Sequence, residues 1–308
     1  MNPALRSWPR GVLVAGVLAL AAGCSSNEAP PATAPGTTPS FQRLTGTPVA
    51  ESSPEFAPDG VRVAYERGDG IWVLDVTTRA ASRVAPRGNH PTWSADGASL
   101  LFVRRDLDGG GPLHRLIRLH LASGAVDTVS ADSVDAYEPA AAPIGDAVAL
   151  RVLSRVDTRQ TLRVLAGDGD DRAILTPAGS WVDMSPAWSA DGAWIAFVRL
   201  DDAGSTRLMR VAASGEVDAT PLSGAGAGLS GPAWHADGRI VFSRAGVISV
   251  IASSGGPSAE LVRGNGFALA PTISPDGRRL VFATDRSGNF ELWQLFDPAG
   301  LGRGPYLF

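Results

Sequence analysis

The residues that could do chemistry are few and scattered along this chain. It has four histidines and one cysteine, and all 27 basic residues are arginine, which excludes a lysine nucleophile or lysine base. No Gly-x-Ser-x-Gly or His-Glu-x-x-His motif occurs, so serine-hydrolase and zinc-protease chemistry lack support. A Gly-x-Gly-x-x-Gly match at 226–231 leads into a proline and an apolar strand, not a helix, and does not indicate a nucleotide site. The sequence therefore predicts no catalytic residue, no metal site and no cofactor.

Weaker signals for metal binding do not change that prediction. Acidic loops at 106–108 and 168–171 contain carboxylates that suit calcium, but neither has the ligand spacing of a known calcium loop. His114 and His120 flank one predicted strand without further ligands. The net charge is −4 and no arginine stripe or basic tail is present, which argues against a nucleic-acid partner.

The element that must position the candidate functional side chains is a hairpin that occurs six times in the sequence. The clearest copy, 186–197, is Pro-Ala-Trp-Ser-Ala-Asp-Gly-Ala-Trp-Ile-Ala-Phe: a strand ending in a large apolar residue, a turn and a second strand. The other copies are at 54–65, 91–102, 139–150, 232–242 and 271–282. Measured at the aspartate position, which Ile144 occupies in the third copy, the copies are 37 to 48 residues apart. This period is typical of β-propeller blades.

Each repeat also predicts two outer strands. A nearly continuous apolar run, such as 208–211, follows the hairpin, and a more polar segment precedes the next proline. We therefore predict an all-β fold over 41–308: a six-bladed β-propeller of four-stranded antiparallel blades. The segment 41–45 comes before any hairpin, so we expect it to complete the last blade as an N-terminal closing strand. The competing register closes the ring with 305–308.

Candidate binding residues lie just before the prolines that begin the inner strands. If these strands line the channel, as in other propellers, the preceding residues lie near one channel mouth. Mixed aromatic and polar side chains around a concavity are typical of peptide or small-ligand sites. The predicted binding residues are Ser53, Asn89, His90, Tyr137, Glu138, Trp181, Asp183 and Phe267. The alternative is that they are ordinary loop residues.

The N-terminal segment predicts secretion. Two arginines precede an apolar run at 11–22 that is too short to span a bilayer permanently. The run ends in Leu-Ala-Ala-Gly-Cys, which resembles a bacterial lipobox, although Ala21 stands where leucine is usual. This resemblance implies a lipoprotein signal peptide at 1–23 and a lipidated Cys24; an ordinary secretory signal is the alternative. Residues 24–40 contain no large apolar side chain and predict a disordered tether.

The repeat resembles a known family. The pattern Pro-x-Trp-Ser-x-Asp-Gly, followed by a strand containing Ile71-Trp72 or Leu292-Trp293, is similar over 41–297 to the WD-like repeats of the TolB family. In that family an α/β domain precedes a six-bladed propeller, whose central opening binds a peptidoglycan-associated lipoprotein. This chain resembles the propeller half alone. Lipid-anchored propellers of this kind are taken to be binding modules of the cell envelope.

Together these features predict a monomeric cell-envelope lipoprotein whose propeller binds a ligand or protein and is not an enzyme. The expected partner is an envelope protein or a peptidoglycan-associated one, with membrane attachment through Cys24. The expected location is the periplasmic face of the outer membrane, or the outer face of the plasma membrane in a cell without an outer membrane. The alternative is a carbohydrate-active propeller of the lyase or glycosidase type, with Glu138, Asp183 and His90 as acid, base or metal ligands.

Overall fold

The computed structural model describes residues 38–105, 114–216, 218–297, 299–302 and 304–308. The predicted signal peptide at 1–23, Cys24 and the tether up to residue 37 lie outside the described residues, and so does the acidic loop at 106–108. The described part of the chain contains no helix that is long and apolar enough to cross a bilayer. The described residues form one compact unit.

The inner hairpins form where the sequence places turn residues between two apolar strands. In the second copy, the Ser94 hydroxyl lies 2.6 Å from Asp96 Oδ1, which also accepts the N–H of Ala98 at 2.9 Å. These hydrogen bonds hold the pKa of Asp96 below its ordinary value. Gly97 has a φ of 67°, which glycine adopts without a steric penalty. The same Ser-x-Asp contacts recur at Ser189–Asp191 and Ser274–Asp276, so the turn is fixed locally in these three copies.

Six antiparallel sheets result, and we number them as blades in chain order. Blade 1 comprises β2 (Glu51–Phe56), β3 (Arg62–Arg67), β4 (Gly70–Asp75) and β5 (Ala81–Ala85). Blade 2 comprises β6 (Asn89–Trp93), β7 (Ser99–Arg105), β8 (His114–His120) and β9 (Val126–Thr128). Blade 3 comprises β10 (Val134–Ala141), β11 (Val148–Ser154), β12 (Gln160–Leu165) and β13 (Asp171–Thr176).

The other three blades repeat this order. Blade 4 comprises β14 (Val182–Trp188), β15 (Trp194–Leu200), β16 (Thr206–Ala212) and β17 (Thr220–Pro221). Blade 5 comprises β18 (Leu229–Trp234), β19 (Arg239–Arg244), β20 (Val247–Ala252) and β21 (Ala259–Arg263). Blade 6 comprises β22 (Ala268–Ile273), β23 (Arg279–Thr284), β24 (Glu291–Phe296) and, from the start of the chain, β1 (Ser40–Arg43). The predicted all-β, six-bladed propeller is confirmed.

The N-terminal strand closes the ring, as predicted. β1 pairs antiparallel with β24, from Ser40 opposite Phe296 to Arg43 opposite Trp293. The competing register is wrong, because residues 306–307 form β25 (Tyr306–Leu307), which pairs parallel with β21 as a fifth strand of blade 5. Phe308 then packs on Phe41 of β1, with ring centroids 4.6 Å apart. Both ends of the described chain are therefore held in neighbouring blades.

The core lies between blades. Each of the six apolar clusters joins two neighbouring sheets; for example, Leu162 and Val164 of blade 3 pack with Phe197 and Met209 of blade 4. This arrangement explains why the second and third strands are nearly continuous apolar runs, since both faces of each blade are covered. The third copy, which lacks the turn aspartate, also forms a blade. Gly145 keeps the left-handed turn (φ 77°) and Ile144 is 65% exposed, so the turn does not require an aspartate.

Candidate functional site

The central channel is lined by the first strand of each blade and encloses a cavity of about 750 Å³. One position in each blade is common to all six: the residue immediately before the proline. We call these six residues the channel ring: Ser53, His90, Glu138, Ser185, Gly231 and Ala270. All six line the cavity and all have a φ between 48° and 55°.

The channel ring is a set of β-bulges. Pairing between the first and second strands shifts register at each ring position, for instance between Asn89 and Thr92. Proline has no N–H for the ladder, and it disfavours the right-handed helical region for the residue before it. Five ring residues are not glycine, and a left-handed conformation costs such residues about 1–3 kcal/mol. The packing of the blades therefore holds a ring of strained backbone around the cavity.

Carboxylates bind two of the ring N–H groups across blade boundaries. Glu66 of blade 1 accepts the His90 N–H at 2.7 Å, and its carboxylate oxygen lies 3.9 Å from His90 Nδ1. Glu138 of blade 3 accepts the Ser185 N–H at 2.6 Å and also contacts Arg151 Nη2 at 3.4 Å. Both carboxylates therefore fix ring residues of the following blade and place negative charge beside the channel.

Glu55, one residue after Pro54, is the most perturbed ionisable group of the channel. Its Oε1 accepts the Thr92 hydroxyl at 2.8 Å and the Trp93 N–H at 3.3 Å. Burial raises the pKa of Glu55 to about 7, against the lowering effect of those hydrogen bonds. At neutral pH this group is therefore present both as acid and as carboxylate, the property needed to donate or accept a proton.

Tryptophans connect the channel strands of successive blades. The indole N–H of Trp93 donates to the carbonyl of Glu55 at 3.1 Å. Trp188 and Trp234 donate in the same way to Ala140 and Ala187, each at 2.9 Å. The tryptophan of the Pro-x-Trp motif is thus structural, because it joins each of these blades to the one before it. Trp188 and Trp234 also line the channel.

Three predicted binding residues, Ser53, His90 and Glu138, lie in the channel ring. The other five are absent from the cavity lining among the described residues and lie near the same ends of the blades. Tyr137 packs against His114 with ring centroids 4.7 Å apart, and the Arg199 guanidinium stacks over Trp181 at 4.5 Å. Asp183 is buried and ion-paired to Arg199. The backbone N–H of Phe267 donates to Asp285. The side chain of Asn89 is partly buried. Whether any of the eight contacts a ligand stays a prediction.

Sequence reasoning missed two features of the channel. For the fourth repeat it selected Asp183, although Ser185 directly precedes Pro186 and occupies the ring. Strict alignment on the proline would have found it. It also missed Glu55, because the residue after the proline is small in half of the repeats and gives no repeated signal.

The described residues do not bring metal ligands together. Among them, no three histidine, cysteine, aspartate or glutamate side chains are close enough to hold a metal ion. His114 lies near Asp135, and His120 contacts Asp127 at 2.7 Å, so the two histidines of β8 have separate carboxylate neighbours. His235, in the turn-serine position of its repeat, approaches the Gly277 carbonyl at 3.3 Å and is structural.

No protein-family model matches the sequence, and no curated protein matches it significantly. Solved structures with a similar fold include TolB from Acinetobacter baumannii (14% identity, TM-score 0.55), which matches over 82% of this chain and 64% of its own. An oligogalacturonate lyase from Vibrio parahaemolyticus has 14% identity and a TM-score of 0.57, over 85% of this chain and 94% of its own. A gluconolactonase from Xanthomonas campestris has 13% identity and a TM-score of 0.62, over 83% and 89% of the two chains.

These similarities establish a TolB-like six-bladed propeller fold and correct one expectation. We predicted that the protein is not an enzyme because catalytic motifs were absent. That prediction is wrong, because a lyase and a gluconolactonase have similar folds. Propeller active sites are assembled from separate blades, so no single stretch of sequence has to carry a recognisable motif.

Proposed function

We propose that the central channel binds an amphipathic ligand and that the protein serves as a binding propeller of the cell envelope. The single observation behind this proposal is the cavity of about 750 Å³, with His90, Glu138 and Glu55 around blades 1–3 and mostly small or apolar residues around blades 4–6. A large apolar pocket with a few convergent polar groups is the usual form of a binding site. The partner class we propose is an envelope protein or a peptidoglycan-associated molecule.

The experiment is affinity capture from membrane extracts with residues 38–308, which include every strand of the six sheets. We expect a specific partner to be retained by the wild type and lost by the double variant His90→Ala, Glu138→Ala. Replacing Ala270 by Trp, which narrows the channel from blade 6, should also abolish retention. Val156→Ala is the matched control, because Val156 is 85% exposed and lies outside the channel. Equal retention by all four proteins would rule out the channel as the binding site.

Membrane attachment through Cys24 is part of the same proposal and is supported by the lipobox-like sequence. Expressed in a bacterial host, the full chain should incorporate palmitate and fractionate with membranes. Cys24→Ser should remove both properties while leaving the propeller folded. A soluble mature protein that begins beyond residue 24 would contradict this part of the proposal and leave the channel unaffected.

A second proposal, acid–base chemistry on a carbohydrate, is supported by Glu55. Its pKa of about 7 and its position in the channel suit proton transfer at neutral pH, and lyase and gluconolactonase enzymes share the fold. Assays with polyuronides and aldonolactones should give a rate that changes near pH 7. Glu55→Gln should lower the turnover number by about 10²–10⁴-fold while the protein stays folded. Absence of turnover on the whole panel would contradict the acid–base proposal and leave binding as the only proposed function.

A further inference from the structure

Arginines recur at the end of the second strand of several blades. Arg67, Arg199 and Arg244 each follow a fully buried aromatic residue by two positions and end, or nearly end, β3, β15 and β19. Each guanidinium lies over the ring of that aromatic residue, at 5.4 Å from Tyr65, 5.7 Å from Phe197 and 5.7 Å from Phe242. The repeat therefore directs three guanidinium groups to equivalent places beside the first strands.

Two of these arginines are paired with a carboxylate from the first strand of their own blade. Glu51 is opposite Arg67 in the ladder, and their side chains are 2.9 Å apart. Asp183 is opposite Arg199 and binds its Nε and Nη2 at 2.7 and 2.8 Å. Both acidic residues stand three positions before the repeat proline, and both are buried, with 0% and 5% exposure. The blade thus supplies a buried counter-charge for the guanidinium.

Blade 5 keeps the arginine but lacks the carboxylate. Leu229 is opposite Arg244 and stands three positions before Pro232, the place of Glu51 and Asp183 in their blades. Within the described part of the chain, Nε and Nη2 of Arg244 are buried and have no hydrogen-bond partner. Leaving buried guanidinium nitrogens unpaired is costly, and such groups in folded proteins normally have a partner. The unpaired guanidinium of Arg244 therefore favours binding of an anion that does not belong to blade 5.

The structure assigns to Arg244 the role of a binding site for a ligand carboxylate at the channel mouth. Planar guanidinium groups bind carboxylates through two parallel hydrogen bonds, as Arg199 does with Asp183. Leu229 is two residues from Gly231 of the channel ring, so Arg244 lies one strand, about 4.8 Å, outside the channel wall. Arg244 as a whole is only partly buried, so part of its side chain is accessible to solvent although Nε and Nη2 are buried.

The carboxylate could come from a peptide C-terminus or from a sugar acid, which present the same group to an arginine. The assignment of this carboxylate to the channel ligand rests on the proposed function, whereas binding at Arg244 itself can be tested without it. Small probes that contact only Arg244 test carboxylate binding separately from ligand binding in the channel, since they do not need to fill the channel.

The experiment follows the Nε–Hε resonance of Arg244 by NMR in the mature chain, assigned from its loss in Arg244→Met. The probes are trialanine with a free C-terminus, trialanine amide, glucuronate and glucose. We expect trialanine or glucuronate to shift the resonance, and the two uncharged controls to leave it in place. Isothermal titration calorimetry should show that Arg244→Met binds trialanine or glucuronate at least about tenfold more weakly than the wild type, because a charge-assisted pair contributes that much.

Leu229→Asp is the second variant, because it restores the carboxylate found in blades 1 and 4. It should shift the Arg244 resonance without any probe and abolish the response to trialanine and glucuronate. Arg244→Met should stay folded, since it replaces an unpaired charge by an apolar chain of similar length. No response of wild-type Arg244 to either carboxylate, or equal binding by Arg244→Met, would overturn the assignment. Equal partner retention by the wild type and the channel variants, together with an intact Arg244 response, would instead contradict only the channel proposal.

Discussion

The two halves of the channel differ although the same repeat builds both. Blades 1–3 form a polar half, with Ser53, His90 and Glu138 in the channel ring and Glu55 beside them. Blades 4–6 form a small-residue half, with serine, glycine and alanine in the ring. The backbone φ of the ring is nearly the same in both halves. The repeat therefore fixes the backbone of the wall, and the side chains that face the cavity vary independently of it.

The largest expected effect that tests this difference is the pH response of Glu55 in the polar half. Burial raises its pKa from 4.5 to about 7, so the folded protein keeps a proton that the unfolded chain releases between these values. Folding stability should therefore fall as pH rises from about 4.5 to 7, by about 3 kcal/mol in total. Glu55→Gln should lack this slope. Denaturant unfolding of both proteins at several pH values measures the difference; parallel curves would show that Glu55 titrates normally.

The next effect concerns Thr92, whose hydroxyl donates to Glu55 and accepts the Ala141 N–H at 2.9 Å. Thr92→Val removes both hydrogen bonds at a buried position and should cost about 2 kcal/mol. It should also raise the pKa of Glu55 further, because the hydroxyl stabilises the carboxylate form.

The matched control for Thr92 is Thr272→Val in the small-residue half. The Thr272 hydroxyl accepts the Phe56 N–H at 3.1 Å, and within the described part of the chain it makes no hydrogen bond to a carboxylate. It should lose about 1 kcal/mol with no change in the pH slope. If both variants show the same pH dependence, the coupling between Thr92 and Glu55 is absent.

A smaller effect should be equal in the two halves. Trp93→Phe and Trp234→Phe each remove the indole N–H that donates to the preceding blade, to Glu55 and Ala187 respectively. Each should lower the free energy of unfolding by about 1 kcal/mol without affecting the pH slope. Chemical denaturation at one pH is sufficient for this comparison. A cost confined to Trp93 would mean that these interblade bonds stabilise only the polar half.

The smallest expected effect is a gain in stability. Ala270 has a φ of 48°, and Ala270→Gly should relieve backbone strain that exceeds the entropy cost of glycine, for a net gain of about 0.5 kcal/mol. Ala140→Gly is the matched control, since Ala140 lines the channel without a positive φ. It should lose about 0.5–1 kcal/mol. Thermal unfolding of both variants gives the signs, and a loss in both would show that the ring conformation is unstrained.

The blades could be predicted from sequence because each is specified locally and repeated. The turn at Ser94 and Asp96, the apolar second and third strands and the N-terminal closure all follow from the period and the count of strands. The place of His90 and Glu138 in the channel follows from the proline beside each. Sequence alignment on that proline also gives Ser185.

Two features depend on contacts between distant residues and could not be predicted. The pKa of Glu55 results from its burial, which raises it, and from the hydrogen bond of Thr92, which lowers it and comes from 37 residues away in another blade. The parallel pairing of β25 with β21 depends on Phe308, which packs on Phe41, Phe282 and Trp293 of blade 6. A two-residue strand has no periodic pattern, so only the assembled ring selects its partner.

The pairing of β1 with β24 also sets the order of events during synthesis. Strand β1 has its partner at residues 291–296, so it must wait, unpaired, until nearly the whole chain has been made. Contacts between such distant segments slow folding, because a long loop must close before they can form. Until then β1 has no partner and is open to pairing with other chains.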